Sequence, residues 1–179
     1  MGIEKVKWSG ARNIFNFGPV IYLLSLGSNM GQRSENISAA RRRLEECCGI
    51  ITQESSIYET APWGFDAEMW FYNQVIELES EINPEEMLRE ILLIEEQQGR
   101  TRKSDGTYYS RSVDVDILLA GDSIMESEQL TIPHPQMHLR KFVLVPAVEI
   151  AGGRMHPVFQ KSLQQLLEDC PDQEEVRKI

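Results

Sequence analysis

The order of patterns along the chain predicts an α+β fold: a ferredoxin-like βαββαβ core, an antiparallel sheet with helices on one face, extended by a hairpin and C-terminal helices. Three observations predict it. Apolar or alternating runs of strand length occur at residues 20–26, 51–60, 71–80 and 112–119. Segments with helical spacing lie between the first and second runs and between the third and fourth. No repeat, low-complexity tract or Pro- and Ser-rich linker divides residues 19–179, so one domain is expected after an extension at residues 1–18.

Each element has its own local signal. Residues 20–26 form an apolar run that ends at Gly27-Ser28-Asn29, a buried strand followed by a turn. Ser34 can cap a helix in which Ile37, Leu44 and Cys47 or Cys48 recur at helical spacing, with Gly49 as its stop. Residues 51–60 read as one strand, stopped by Pro62 and Gly64. Along 71–80 the alternation puts Tyr72, Gln74, Ile76 and Leu78 on one side and Phe71, Asn73, Val75 and Glu77 on the other. Asn83-Pro84-Glu85-Glu86 is a helix start, because Asn caps, Pro suits the first helical position and acids favour the positive end of the dipole. That helix carries Met87, Leu88, Ile91 and Ile94 and stops at Gly99. Residues 112–119 are the next strand, 123–125 with 130–132 a small hairpin, and two helices are expected within 137–150 and within 162–170.

Composition limits the function classes. The chain has 179 residues, enough to bury roughly two-thirds of its unfolded surface without disulfides or structural metal. Its net charge of -10 disfavours nucleic acid as a partner, although Arg100, Arg102, Lys103, Arg111, Arg140 and Lys141 gather in its third quarter. Three cysteines without metal-ligand spacing fit a reducing cytoplasm better than a disulfide framework. The longest apolar run is too short to span a bilayer, so no membrane association is expected. A phosphate-cradling Gly-x-x-x-x-Gly-Lys-Ser/Thr loop is missing, which argues against a P-loop kinase.

The chemistry is concentrated in Arg111-Ser112-Val113-Asp114-Val115-Asp116-Ile117. Strand period turns Val113, Val115 and Ile117 to the core and both aspartates to the opposite side, their alpha carbons about 7 Å apart. Aspartate is depleted in strands and like charges on one face repel, so the pair calls for counter-charge. Arg111 with Arg100, Arg102 and Lys103 can supply it, by simple neutralisation or by holding phosphates that a metal also binds. Oxygen-only ligands favour a hard cation such as Mg²⁺, which takes one or two carboxylates and completes its shell with water and substrate phosphate.

At these residues the sequence resembles the 6-hydroxymethyl-7,8-dihydropterin pyrophosphokinase family. The resemblance rests on separated pieces in family order: Tyr22-Leu23-Leu24-Ser25-Leu26-Gly27-Ser28-Asn29, Ser56-Ile57-Tyr58-Glu59-Thr60-Ala61-Pro62-Trp63-Gly64 and Phe71-Tyr72-Asn73. Ile94-Glu95-Glu96-Gln97-Gln98-Gly99-Arg100, the Arg111 stretch, and Pro133-His134 with Met137, Arg140 and Phe142 complete it over roughly residues 20–170. It implies a diphosphotransferase of folate biosynthesis that passes the terminal diphosphate of ATP to the pterin hydroxymethyl group and releases AMP. It also implies two Mg²⁺ ions on Asp114 and Asp116, and Arg100, Arg111, His134 and Arg140 on the phosphate side, with Arg100 and Arg111 catalytic. Phe71 and Phe142 would sandwich the pterin, Asn73 would meet its guanine-like edge, and Thr60 and Trp63 would line it, with Glu95 as a further site residue. ATP and a hydroxymethyl-dihydropterin are the expected partners, and a monomer the expected unit.

The pattern also departs from the family. Ser104 to Ser110 replaces a loop that commonly carries Trp and Gly-Pro, leaving either Tyr108 or Tyr109 to cover the site, and Gln129 and Pro135 stand where some relatives have basic and aromatic residues. Residues 64–70 and 100–111 are expected to close over substrates. The competing reading is a non-catalytic ferredoxin-like ligand-binding module, which has no need of an acid pair facing arginines.

Overall fold

The computed structural model describes residues 18–61, 69–99 and 112–179. The chain runs β1 (Val20–Ser28), α1 (Arg33–Cys47), β2 (Ile50–Glu54), β3 (Tyr58–Thr60), β4 (Phe71–Ser80), α2 (Pro84–Gln97) and β5 (Asp114–Ala120). A small hairpin, β6 (Met125–Glu126) and β7 (Thr131–Ile132), leads to a 3-10 turn (Met137–Leu139) and α3 (Lys141–Ala151). A second hairpin, β8 (Met155–His156) and β9 (Lys161–Ser162), precedes α4 (Leu163–Glu168) and β10 (Val176–Lys178). The main sheet is antiparallel in the order β10-β3-β4-β1-β5, with β2 also paired to β4.

Strand alternation divides the core in two. Leu24 and Leu26 of β1, Ile76 and Leu78 of β4, and Val115 and Ile117 of β5 face α1 and α2, meeting Ile37, Leu44, Met87 and Ile91. Leu23, Val75, Leu118 and Leu119 face the other way, against Val143, Leu144 and Ala147 of α3 and Leu163 of α4. The two helices of the βαββαβ core therefore share one face, as the element order predicts, and the added C-terminal helices cover much of the other. Each fully buried leucine in these layers contributes about 1.5–3 kcal/mol relative to exposure.

Local signals place α2 well. Asn83 is its N-cap, accepting from Glu86 N at 2.9 Å, Pro84 is its first residue, and Gly99 follows its end at φ +85°, a left-handed conformation that suits glycine. Three expectations need correction. Helix α1 starts at Arg33, with Gln32 rather than Ser34 at its N-cap and no side-chain cap, and of the two adjacent cysteines it is Cys48 that is buried. The expected strand 51–60 is two, because Ser55 replaces the regular ladder: its N–H donates to Val75 O at 2.9 Å while its hydroxyl accepts from Val75 N at 3.0 Å. Gln74 Nε2 also donates to Ser55 O at 2.7 Å, so the chain turns out of the strand between β2 and β3. Finally, β8, β9 and β10 went unforeseen, since strands of two or three residues are too short to show a period.

Candidate active site

The sheet face under α3 changes character along its strands. On β1 the sequence of that face is Leu23, Ser25, Gly27; on β4 it is Val75, Asn73, Phe71; on β5 it passes to Asp116 and Asp114. Register aligns these changes. Ser25 pairs with both Val75 and Asp116, and Gly27 pairs with both Asn73 and Asp114. Since directly paired residues share a face, one polar end of the sheet carries an amide and an aromatic ring on β4 and two carboxylates on β5. The small residues Ser25 and Gly27 form the floor between them.

The β4 side is tightly set. Asn73 Nδ2 donates to Thr60 Oγ1 at 2.7 Å, and both residues are buried. The floor is closely fitted to it: a Cβ on Gly27 would lie 3.3 Å from Asn73 Oδ1 and 3.8 Å from Phe71 Cδ1. A larger residue there would press on the Asn73 amide while only touching the Phe71 ring, so glycine gives the amide its room.

The β5 side is framed by the segment before α3. His134 N donates to Leu118 O at 2.9 Å, fastening that segment to β5. Burial, and then the Arg140 charge, push the His134 imidazole down to about 4 against the opposing pull of Asp114. At neutral pH it is uncharged. Its Nδ1 accepts from Gln136 N at 3.2 Å, which leaves the ring proton on Nε2 as a donor. Gln136 serves a second purpose, because its Oε1 accepts from Arg140 Nη2. Arg140 is only 7% exposed, and its guanidinium lies 5.9 Å from the Phe142 ring centroid. A charge held so far from water attracts an anion more strongly than a solvated one does.

Two carboxylates on alternate positions of one strand, without a closed cage, suit a hard divalent cation that also binds substrate oxygen. Among the described residues no cluster of three or more His, Cys, Asp or Glu is able to hold a metal by itself. A pair of carboxylates alone leaves most of a hard cation's coordination shell to water and substrate oxygen.

The family model described as 7,8-dihydro-6-hydroxymethylpterin-pyrophosphokinase (HPPK) matches residues 23–152. The chain belongs to this family. It is 43% identical over 141 residues to the 2-amino-4-hydroxy-6-hydroxymethyldihydropteridine pyrophosphokinase of Porphyromonas gingivalis, covering 76% of this chain and 94% of that protein. The Bacillus subtilis protein of the same name is 40% identical over 131 residues, covering 73% and 77%. Among solved structures, a Plasmodium falciparum HPPK-DHPS triple mutant matches at a TM-score of 0.69 and 17% identity, over 87% of this chain and 45% of that one. The wild type with pteroate matches at 0.68 and 16%, over 84% and 44%. These structural likenesses concern the fold, and this chain spans less than half of those longer proteins.

On this HPPK-family chain, Thr60, Phe71, Asn73, Asp114 and Asp116 occupy one end of the sheet, and His134 feels the charges of both Asp114 and Arg140. Phe142 follows Arg140 in the first turn of α3, the helix packed over that face. Glu95 reaches from α2 to the end strand, where its Oε1 accepts from Val115 N at 2.9 Å and holds the backbone between the two aspartates. Trp63, Arg100 and Arg111, Tyr108 and Tyr109, the extension up to residue 17 and most of the two expected flaps lie outside the described residues. Gln129 and Pro135 are exposed. Ser25, Gly27 and Gln136 escaped the sequence reading as site residues, because strand register and a side chain's reach were needed to find them. Their only signal was the small-residue pattern Ser25-x-Gly27 in a buried strand.

Proposed function

We propose that this chain transfers the terminal diphosphate of ATP to 6-hydroxymethyl-7,8-dihydropterin, giving AMP and the pterin diphosphate. The observation that carries the reading is the pairing of Gly27 with both Asn73 and Asp114, which sets a pterin-type amide and a metal-type acid on one row of one face.

Asp114 and Asp116 would hold Mg²⁺, two ions on this reading, which would neutralise the triphosphate and polarise the phosphorus under attack. Asn73, pinned by Thr60, offers an acceptor and a donor to the guanine-like edge of the pterin. Phe71 and Phe142 would hold the ring faces, which orients the hydroxymethyl oxygen toward the acids. His134 donates from Nε2 and Arg140 adds a fixed cation to the transferring diphosphate, while Arg100 and Arg111 are assigned to the same charge. Glu95 acts through Val115 N, holding the strand that carries both aspartates in register. The new bond joins the hydroxymethyl oxygen to the beta phosphorus, the bond from that phosphorus to the alpha-beta bridging oxygen breaks, and AMP leaves as the hydroxyl proton is lost to solvent or phosphate.

The nucleotide product decides it. With Mg²⁺, ATP and the pterin, mass analysis should find AMP equal to the pterin diphosphate, and Asp114→Asn or Asp116→Asn should lower turnover on the order of 10²-fold or more. Formation of ADP would indicate a single-phosphate kinase, and nucleotide binding without turnover would favour the ligand-binding module.

A further inference from the structure

We propose that Arg33 is a positioning residue for the pterin side of the site, fixing the peptide group that carries Phe71; this rests on the function proposed above. Arg33 Nη1 donates to Trp70 O at 2.6 Å and to Glu59 Oε1 at 3.0 Å, and its guanidinium carbon lies 3.6 Å from the centroid of the Tyr72 ring. The Trp70 carbonyl belongs to the same peptide unit as the Phe71 N–H. Tyr72 is the next residue on, so one cation holds the peptide before Phe71 and the side chain after it. Glu59 is also the cross-strand partner of Tyr72, which ties β3 to β4 at this point.

Alternation explains how this acts at a distance. Arg33 opens α1 and works on the Tyr72 side of β4, whereas the Phe71 ring projects to the opposite face, 3.8 Å from the Cβ position of Gly27. The clamp is itself referenced to the floor of the site. Asn36 Nδ2 donates to Met30 O at 2.8 Å and to Ser28 Oγ at 3.2 Å, fastening the first turn of α1 to the end of β1, where Gly27 lies. The Arg33 side chain is 16% exposed and Glu59 23%, so solvent screens this pair less than a surface one. A flat, forked cation can stack on an aromatic and donate sideways at once, which an ammonium does poorly. Nothing in the local sequence marks Arg33, because its partners lie 26 and 37 residues away.

The test separates pterin affinity from nucleotide affinity. Kd is measured for a non-hydrolysable ATP analogue with Mg²⁺, and then for 6-hydroxymethyl-7,8-dihydropterin in its presence. Arg33→Ala should weaken pterin binding about tenfold, the loss of one charge-assisted hydrogen bond, while analogue affinity stays within about twofold. Arg33→Lys should restore little of it. Arg43→Ala, which removes an exposed pair with Glu46 on the same helix, should change neither. Unchanged pterin affinity in Arg33→Ala, or equal loss of both ligands, overturns the proposal. Should Arg33→Ala not fold, Glu59→Gln and Tyr72→Leu must each weaken the pterin step in the same direction, and an unaltered step overturns it. A parent protein that binds the analogue but no pterin contradicts the proposed function instead; the clamp is then read from the Phe71 amide resonance, which must shift in Arg33→Lys and refutes the clamp if it does not.

Discussion

Gly27 shows how a single atom bounds the site. A Cβ at 3.3 Å from Asn73 Oδ1 is closer than side chains ordinarily tolerate, and Asn73 has little room to yield because Thr60 holds its Nδ2. Gly27→Ala should therefore raise the KM for the pterin about tenfold with a small change in melting temperature, read from steady-state kinetics and calorimetry. His134 makes a second prediction at this scale. Its folded imidazole titrates near 4, below the ordinary 6.5, through burial first and the Arg140 charge second. The folded protein consequently binds that proton less readily than the unfolded chain, so the contribution is neutral above the ordinary value and destabilising as pH falls from 6.5 toward 4. Nitrogen-15 spectra of the metal-free protein should show a neutral ring, protonated at Nε2, still present at pH 5. A ring that charges near pH 6.5 would contradict the assignment.

Between elements, polar side chains do what regular ladders do elsewhere. Ser55 closes the gap between β2 and β3 by taking the Val75 N–H on its hydroxyl. Ser55→Ala leaves that buried donor without its acceptor and should cost about 1–3 kcal/mol in urea denaturation, with an unchanged m-value. Glu149 of α3 plays a similar part toward the C-terminal strand. Its carboxylate accepts from Ser56 N at 2.8 Å, Ser56 Oγ at 2.9 Å, Tyr58 Oη at 3.1 Å and Lys178 Nζ at 2.8 Å. Burial alone would raise its pKa, but those donors, Lys178 foremost, bring it down to about 2 from 4.5. A depressed carboxyl stabilises the fold above its ordinary value and loses that contribution as pH falls through the folded one, here between 4.5 and 2. Glu149→Gln should lower stability by about 2 kcal/mol at pH 7, flatten the acid limb in that window and speed hydrogen exchange at Val176–Lys178. An unchanged acid limb would contradict the network.

At the scale of the molecule, the fold was legible where a signal lasted a full period. Asn83-Pro84 and Gly99 bound α2, the alternation of 71–80 assigned both faces of β4, and Val113, Val115 and Ile117 turned inward with the acids outward, all from local chemistry. What stayed hidden is non-local. The split at Ser55 depends on a hydroxyl meeting a residue 20 positions along the chain, β10 is recognisable only by its partner β3, and the floor of Ser25 and Gly27 exists only in the register that joins β1 to β4 and β5. The site was readable as residues but not as a shape: Asp114 and Asp116 stood out by type and Asn73 by the family resemblance, while the way they face each other follows from pairing. That separation is the substance of the proposal. Its most direct measurement is a crystal structure with Mg²⁺, a non-hydrolysable ATP analogue and 6-hydroxymethyl-7,8-dihydropterin bound together. The pterin should lie on Asn73 between Phe71 and Phe142, with its hydroxymethyl oxygen about 3–3.5 Å from a beta phosphorus held over Asp114 and Asp116. A pterin or a triphosphate bound anywhere but that end of the sheet, or the two bound with Gly27 not between them, would contradict it.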